Sequence, residues 1–195
     1  MDNATQEKLF AAAIPLFAKK GYAAVSIREI AKAADVNVSS ISYYFRGKEG
    51  LYHAIIESHV ATIAKAVLSA ESLSPEERLR NYAKAISEVH TKKPYVARFI
   101  QSELVNPTSA MDQILKKNIF SFYRFLNKAI QDGIDTGLFR TDVNVHHAAL
   151  SLVGILNFYF IAKPLFRDFL DTSVETDADY AEQAVTIYLE GIRRK

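Results

Sequence analysis

Apolar side chains recur at the spacing of an α-helix along most of the chain. In the first such run Leu9, Ala13 and Phe17 follow one another four residues apart, which puts them on one face of a helix. The sequence lacks the short alternating runs, bounded by turn clusters, that predict β-strands. We therefore expect an all-α protein of about nine helices, four short to medium in length and then five longer ones.

Local start and stop signals divide these runs. Gly21 and Gly47 end predicted helices, because glycine readily takes the backbone conformation that closes a helix. Ser26 and Glu29 have the spacing of a capping box, in which each side chain satisfies a free backbone amide at a helix start. The stretch SPEE at residues 74–77 combines a cap, a proline at the first helical position and two acids that suit the helix dipole.

Composition sets only broad limits on function. The chain has 195 residues, of which 49% are hydrophobic, enough for a small domain joined to a larger one. It has no cysteine, which excludes disulfide and thiolate chemistry. The N-terminus shows no basic segment followed by an apolar run, so we expect no secretory signal and a cytoplasmic protein. The net charge of +2 arises in residues 1–53, which permits a polyanionic partner there.

Two short predicted helices, 26–34 and 38–45, are joined by a turn and preceded by a longer helix. This is the arrangement of a helix-turn-helix unit, whose second short helix lies in the major groove of DNA. Val38, Ile41 and Phe45 are spaced as an inward stripe, so several neighbouring serines and tyrosines must face outward. Serines allow the backbone to approach the groove closely, and hydroxyl groups can contact phosphates and base edges.

The residues next to this helix suggest further DNA contacts. Lys48 begins the following predicted helix, where its charge joins the free amides and the positive end of the helix dipole, so we expect it to contact a phosphate. For Tyr43 and Tyr44 the alternative is that one of them packs inside the domain and the rest is solvated surface.

Residues 8–53 resemble the DNA-binding domain of the tetracycline-repressor-like (TetR) family of bacterial transcription regulators. The matching motifs, in order, are the corner from Phe17 to Tyr22, "SIREIA" at 26–31, "ADV" at 34–36, "YYF" at 43–45 and "KEGL" at 48–51. The resemblance implies a homodimer that binds a palindromic operator in double-stranded DNA, most often as a repressor that a small-molecule effector releases. It divides the chain into a helix-turn-helix DNA-binding domain, 1–53, and a helical ligand-binding and dimerisation domain, 54–195.

The resemblance also implies which side chains contact DNA. By position these are Ser26, Arg28, Ser39, Ser40, Ser42, Tyr43, Tyr44 and Lys48. The chain departs from the family at two places: many members carry glycine where Asp35 stands and tyrosine where Ser42 stands. The shorter side chain of Ser42 can give up one phosphate contact.

Beyond about residue 55 the resemblance weakens, and one apolar segment is the main signal. The stretch "AALSLVGILNFYFIA", 148–162, is apolar nearly all round but too short to span a bilayer, so we expect no membrane association. A helix that is apolar on every side must be covered on every side. We expect its outer side, which includes Gly154 and Ile155, to meet a second subunit. The alternative is a central helix enclosed within one chain.

Aromatic side chains concentrate at 119–130, which suggests a ligand pocket. We expect it to be lined by aromatic residues and by amides whose burial must be compensated, namely Phe99, Gln101, Phe120, Tyr123, Phe125, Asn127, Asn157, Phe158 and Tyr159. Each of these residues can instead belong to an ordinary core or interface. The predicted pocket helices offer mainly Arg98 and Arg124 as cations, so we expect a largely apolar or aromatic effector rather than a strongly charged one.

The sequence shows no pattern of enzymatic chemistry. It contains no histidine pair with metal-ligand spacing, no glycine-rich phosphate loop and no Ser/His/Asp pattern, so we expect no enzyme, metal or cofactor. Two alternatives to a regulator remain: a helical interaction protein that has lost operator recognition, and a helical enzyme that uses the aromatic pocket. The first predicts no sequence-specific retention of DNA, and the second needs a nucleophile or metal set.

Overall fold

The computed structural model describes residues 3–169 and 173–194. These residues form nine α-helices: α1 (Asn3–Lys20), α2 (Ile27–Ala34), α3 (Ser39–Phe45), α4 (Lys48–Leu68), α5 (Pro75–Lys92), α6 (Val96–Val105), α7 (Lys116–Asp135), α8 (Val145–Ala162) and α9 (Val174–Ile192). A π-helical turn, Met111–Leu115, leads directly into α7. In the described residues an isolated bridge between Phe139 and Arg193 is the only β-type pairing. The prediction of an all-α protein is confirmed.

The chain divides into two compact units whose limits differ from the predicted domains. The first comprises Met1–Val60 and Arg98–Lys116, and the second Ala61–Ala97 and Lys117–Lys195. Helix α4 therefore contributes to both units, and most of α6 belongs to the unit that contains the helix-turn-helix segment. The predicted boundary after residue 53 stays a prediction about function, but it does not coincide with this division of contacts.

The first unit is organised around α1, which packs against α2 and α3. Leu9, Ala13 and Phe17 are buried, as their spacing predicts. Asp35 ends α2 with a left-handed backbone, φ 52°, and its N–H lies against the carbonyls of Ala31 and Lys32. Glycine adopts this conformation more readily than any other residue, which gives a physical reason for the glycine that the family resemblance leads one to expect at this position.

A buried carboxylate ties α6 to α4 within the same unit. Glu103 is fully buried and accepts hydrogen bonds from the hydroxyl of Tyr52 at 2.8 Å and from the backbone N–H and the hydroxyl of Thr108, both at 3.0 Å. The ring of Tyr52 in turn contacts those of Phe17 and Tyr22. A charged group so deeply buried is tolerated only when several donors surround it, and these three donors provide that environment.

In the second unit α5 packs against α9 and α8, and α8 packs against α9. The start of α5 has the predicted cap and proline, and the structure adds a full capping box, with Ser74 accepting from the backbone N–H of Glu77 and the Glu77 carboxylate accepting from that of Ser74. Gly133 in α7 is required by packing, because an added Cβ would lie 2.1 Å from the ring of Phe139. A buried Asp177 at the start of α9 accepts from the hydroxyl of Tyr159 at 2.9 Å.

Helix α8 is buried on one face only. Ala148, Ala149, Leu152, Leu156 and Tyr159 form the buried face. Helix α8 has 18 residues and a mean hydropathy of 1.5, so by length and composition alone it is long and apolar enough to cross a membrane. It is longer than the 15-residue stretch singled out in the sequence. The core helix of a soluble protein can have the same length and composition, and α8 packs against α5 and α9.

Candidate nucleic-acid interface and candidate ligand cavity

The start of α2 presents two of the predicted DNA-contacting residues to solvent. The hydroxyl of Ser26 accepts from the backbone N–H of Glu29 at 3.2 Å, as the capping box requires. Lys20 pairs with the Glu29 carboxylate at 2.5 Å, and this hydrogen bond is the main cause of a lowered pKa for Glu29. Ser26 and Arg28 are both exposed, so their side chains and the first amides of α2 form one accessible surface.

Helix α3 is preceded by a turn that orders its first residue. The side-chain carbonyl of Asn37 accepts from the backbone N–H of Ser39 at 2.9 Å and from its hydroxyl at 2.7 Å. Of the predicted inward stripe only Ile41 is fully buried. Phe45 is half-buried and stacks on Phe10 with ring centroids 5.5 Å apart. Val38 is exposed, so its predicted place in the core is wrong: it lies just before the first turn of α3, on the outer side of the turn.

The outer face of α3 carries the predicted hydroxyl groups. Tyr43 is 82% exposed, so it does not pack in the core, and its ring meets that of Tyr44 edge to face with centroids 4.9 Å apart. Ser39 and Ser42 are exposed, whereas Ser40 and Tyr44 are half-buried. A helix of this kind, narrow and lined with hydroxyl groups, can approach base edges and phosphates closely.

Lys48 has a structural role that the sequence did not reveal. Its ammonium donates to the backbone carbonyls of Tyr22 at 3.0 Å and Val25 at 2.9 Å, and it lies 4.3 Å from the centroid of the Tyr22 ring. The side chain thus fixes the turn between α1 and α2 to the start of α4. An ammonium has three N–H donors, so one remains for the predicted phosphate contact.

A glycine allows the close approach of α4 to the end of α3. A Cβ at Gly50 would lie 1.8 Å from the carbonyl oxygen of Phe45, so no other residue fits there without a shift of the backbone. Arg46 ends α3 with a left-handed backbone, φ 61°, and its N–H lies against the carbonyls of Ile41 and Ser42. These two features set the angle at which α3 is presented.

The residues predicted to form an aromatic pocket are dispersed. Phe99 is buried in the first unit against Tyr52 and His59, and Gln101 in the same unit is exposed. In the second unit Phe120 and Phe158 are 59% and 65% exposed. The predicted aromatic pocket residues thus belong to two different units, and within the second unit Phe120 and Phe158 are on the surface.

The remaining predicted pocket residues make polar contacts within the second unit. The hydroxyl of Tyr123 lies 2.9 Å from Nδ1 of His146. The amide of Asn127 donates to the carbonyl of Tyr123 at 2.7 Å, while its own buried Oδ1 has no hydrogen-bond partner among the described residues. Oδ1 of Asn157 lies 3.1 Å from Nε2 of His90. Both side-chain amides, those of Asn127 and Asn157, therefore have protein hydrogen-bond partners, as amides in an ordinary core do.

His90 is a buried titratable group of the second unit. It is 4% exposed and stacks on Phe160 with centroids 4.4 Å apart. Its Nδ1 is buried without a hydrogen-bond partner in the described part of the chain. Burial lowers the pKa of His90, and the hydrogen bond to Asn157 opposes this only partly, so the ring is favoured in its neutral form.

A cavity of about 400 Å³ lies in the second unit, with one wall formed by the segment 119–130. It is lined by Ala64, Glu71, Arg78, Ser121, Phe122, Arg124, Phe125 and Lys128. Of the nine predicted pocket residues only Phe125 lines it. The helical spacing of Ser121, Phe125 and Lys128 along one side of α7 is the sequence signal that could have indicated the other α7 residues.

Residues 3–169 and 173–194 contain no group of three or more His, Asp or Glu side chains placed to hold a metal ion. Buried ionised groups there are instead paired with protein partners. The Asp132 carboxylate shows this: partial burial acts to raise its pKa, but hydrogen bonds from Arg78 and Lys128 outweigh that effect and hold the pKa below its usual value.

Comparison with known proteins matches both parts of the chain. A family model described as bacterial regulatory proteins, tetR family, matches residues 9–55, and one described as a tetracyclin repressor-like C-terminal domain matches residues 75–187. The probable HTH-type transcriptional regulator YttP of Bacillus subtilis is 34% identical over 134 residues, 67% of this chain and 62% of the relative. The chain thus spans less than two thirds of that relative.

Two further proteins match over almost the whole chain. The HTH-type transcriptional repressor NicS of Pseudomonas putida is 26% identical over 197 residues, covering 97% of this chain and 93% of the relative. The structure of the ketosteroid transcriptional regulator KstR2 of Mycobacterium tuberculosis has a TM-score of 0.83 and 20% identity, covering 100% of this chain and 98% of that one. At that identity the structural likeness shows the fold alone.

Proposed function

We propose that this chain, which belongs to the tetR family of bacterial regulatory proteins, is a cytoplasmic, homodimeric repressor that binds a palindromic operator. A small, largely apolar or aromatic effector releases it from the DNA. Membership of the family makes it a regulator rather than an enzyme. The name of NicS, a repressor similar along nearly the whole chain, supports repression over activation.

The observation that carries the proposal is the outer face of α3. Tyr43 leaves 82% of its surface in solvent, although an aromatic ring gains by burial. Its neighbours on that face are the exposed hydroxyl groups of Ser39 and Ser42. A face of this composition has little use inside a fold, and it matches the small polar and aromatic groups with which a recognition helix contacts base edges and phosphates.

The direct test is retention of DNA by the purified full chain. We expect the protein to shift the DNA upstream of its own gene, and a shuffled fragment of equal length and composition to bind at least about a thousandfold more weakly at physiological salt. Equal affinity for both fragments would remove operator recognition and favour the interaction-protein alternative. The retained site should contain half-sites separated by about 34–36 Å or a multiple of that distance.

Tyr43 and Lys48 should affect binding in different ways. Replacement Tyr43→Ala should weaken operator binding more than binding to random DNA, and the folded protein should keep its stability because the side chain is so exposed. Replacement Tyr43→Phe separates the contribution of the hydroxyl from that of the ring. Lys48→Ala should weaken binding to all DNA and lower the salt slope by about one per domain, and it should also lower the melting temperature, since it removes the two carbonyl contacts.

The homodimer is proposed to form through the outer faces of α8 and α9. Leu150 and Phe158 on α8 are 58% and 65% exposed, and Ile187 on α9 is 66% exposed. Ile155, predicted for this interface, is 38% exposed between them. Exposed apolar side chains on two helices that pack on each other are typical of an interface with a partner subunit.

The glycine in this surface provides a sharp test. A Cβ at Gly154 would meet nothing within 4 Å in a single chain, so Gly154→Leu should leave the fold of the protomer intact. In a dimer that brings two α8 helices together, the added side chain should prevent close approach. We expect a folded monomer by circular dichroism and light scattering. A variant that remains dimeric at micromolar concentration would place the interface elsewhere.

A further inference from the structure

The cavity in the second unit combines an apolar wall with positive charge. Ala64, Phe122 and Phe125 supply the apolar part, and Arg78, Arg124 and Lys128 the cations, against the single carboxylate of Glu71. Its volume, about 400 Å³, lies at the small end of the range for pockets that bind small organic molecules. The lining therefore differs from the uncharged aromatic pocket expected from the sequence.

Arg78 is held in a fixed position at this cavity. Its side chain is 11% exposed, its Nη1 lies 2.8 Å from the Asp132 carboxylate, and its Nε donates to the carbonyl of Leu73 at 2.9 Å. Asp132 also pairs with Lys128 at 3.1 Å. A guanidinium carries five N–H donors, so the two contacts of Arg78 leave further donors available in a position that is set in advance.

Arg124 completes the positive side of the cavity. It makes no hydrogen bond or ion pair with any residue in the described ranges, and the same is true of Glu71 on the cavity wall. Three cations line the cavity, and Asp132 pairs with two of them, Arg78 and Lys128. Arg124 is therefore the cavity cation that has no counter-ion among the described residues. A carboxylate is the usual partner of a guanidinium that has two parallel donors to offer.

We propose that this cavity is the effector site and that it takes an organic anion, a carboxylate or similar group on a small apolar or aromatic body. This inference rests on the proposed function, because the bound molecule is taken to be the effector that releases the operator. Arg124 binds the anionic group with support from Arg78 and Lys128, and Phe122 and Phe125 pack against the apolar body. Glu71 opposes the negative charge of the ligand and so limits its affinity.

The proposal is tested with matched acid and amide probes. Isothermal titration of the full chain with 1-naphthaleneacetate and with 1-naphthaleneacetamide compares two molecules that differ in charge but hardly in size. Octanoate and octanamide form a second pair that distinguishes an alkyl from an aromatic body. We expect at least one acid to bind about fivefold more tightly than its amide, with a difference that shrinks as salt is raised.

Three substitutions locate the binding site. Arg124→Gln should weaken binding of the acid about fivefold and leave the amide unchanged. Glu71→Gln should tighten binding of the acid, because it removes a repulsive charge. Lys117→Gln is the matched control: it removes one exposed cation from the same helix but does not line the cavity, so the affinity for the acid should stay as in the wild type.

Several outcomes would overturn the proposal. These are equal affinity for acid and amide in both pairs, equal weakening by Arg124→Gln and Lys117→Gln, or no saturable heat with any probe up to about 1 mM. The effector role is lost if the operator stays bound when a tightly binding acid saturates the protein. Failure of the probe-free protein to retain operator DNA would instead refute the proposed function, and the titrations would still report on the cavity.

Discussion

The hydroxyl of Tyr52 provides a test of how α6 is held in the unit that contains the DNA-binding helices. Tyr52 is 1% exposed and donates to the carboxylate of Glu103 at 2.8 Å. Thr108 supplies the other donors to that carboxylate. Replacement Tyr52→Phe removes one donor and keeps the ring, whose contacts with Phe17 and Phe99 should persist.

The expected loss follows from the charge and burial of Glu103. A hydrogen bond to a charged group contributes about 1.5–3 kcal/mol, more than one between neutral groups. The loss of a single oxygen atom leaves only a small void, so the free energy of unfolding should fall by about this amount. Burial, followed by the hydrogen bond and charge of Glu103, raises the pKa of Tyr52, so the hydroxyl remains a donor at neutral pH.

Urea denaturation followed by far-ultraviolet circular dichroism measures the effect at one fixed protein concentration, because the stability of a dimer depends on concentration. The matched control is Tyr95→Phe, which removes a hydroxyl from a side chain that is 37% exposed. We expect the denaturation midpoint of Tyr52→Phe to be lower than that of the wild type, and the midpoint of the control to be unchanged. Equal midpoints for the variant and the wild type would refute the reasoning that Glu103 depends on this donor.

Two further predictions concern the second unit. Gly133→Ala should destabilise the protein by about 1–3 kcal/mol, since the new Cβ would lie 2.1 Å from the ring of Phe139; a melting temperature equal to that of the wild type would contradict this. Because burial lowers the pKa of His90, the unfolded chain takes up the proton first as pH falls below about 6.5, and stability is lost by at most about 1.4 kcal/mol per pH unit. His90→Gln should remove that part of the pH dependence of stability. This role of His90 would be excluded if the free energies of unfolding of the wild type and the variant fell equally from pH 7 to about 5.5.

Helix limits could be predicted from the sequence because their signals are local. The side-chain caps at Ser26 and Ser74 depend on residues within one turn, and Gly21 closes α1 with a positive φ of 78°. Helical spacing over a few residues also predicted that several of the serines and tyrosines in α3 face outward, and Tyr43 is one that does. The inward position assigned to Val38 was wrong: its backbone is already helical, but as the N-cap residue it lies at the end of α3 and is 39% exposed, so spacing alone did not decide its burial.

The ligand cavity could not be predicted in the same way, because its residues are distant in the sequence. Arg78 comes from α5, whereas Arg124 and Lys128 come from α7, and no local pattern shows that these helices bring their cations together. The aromatic cluster at 119–130 lies on α7, which forms one wall of the cavity. The sequence interpretation named Phe125, which lines the cavity, together with the exposed Phe120, and it did not name Phe122.

Glycines inside helices show why a substitution needs the structure before its outcome can be interpreted. Gly133 and Gly154 both interrupt apolar helices in the sequence, and composition treats them alike. A side chain at 133 would enter the ring of Phe139, whereas one at 154 would meet open space, and in a helix it would gain up to about 1 kcal/mol of intrinsic propensity. Gly154→Leu should therefore stabilise or spare the single chain. If it nevertheless abolishes the dimer, the cause must lie in a partner that approaches α8, and not in damage to the protomer.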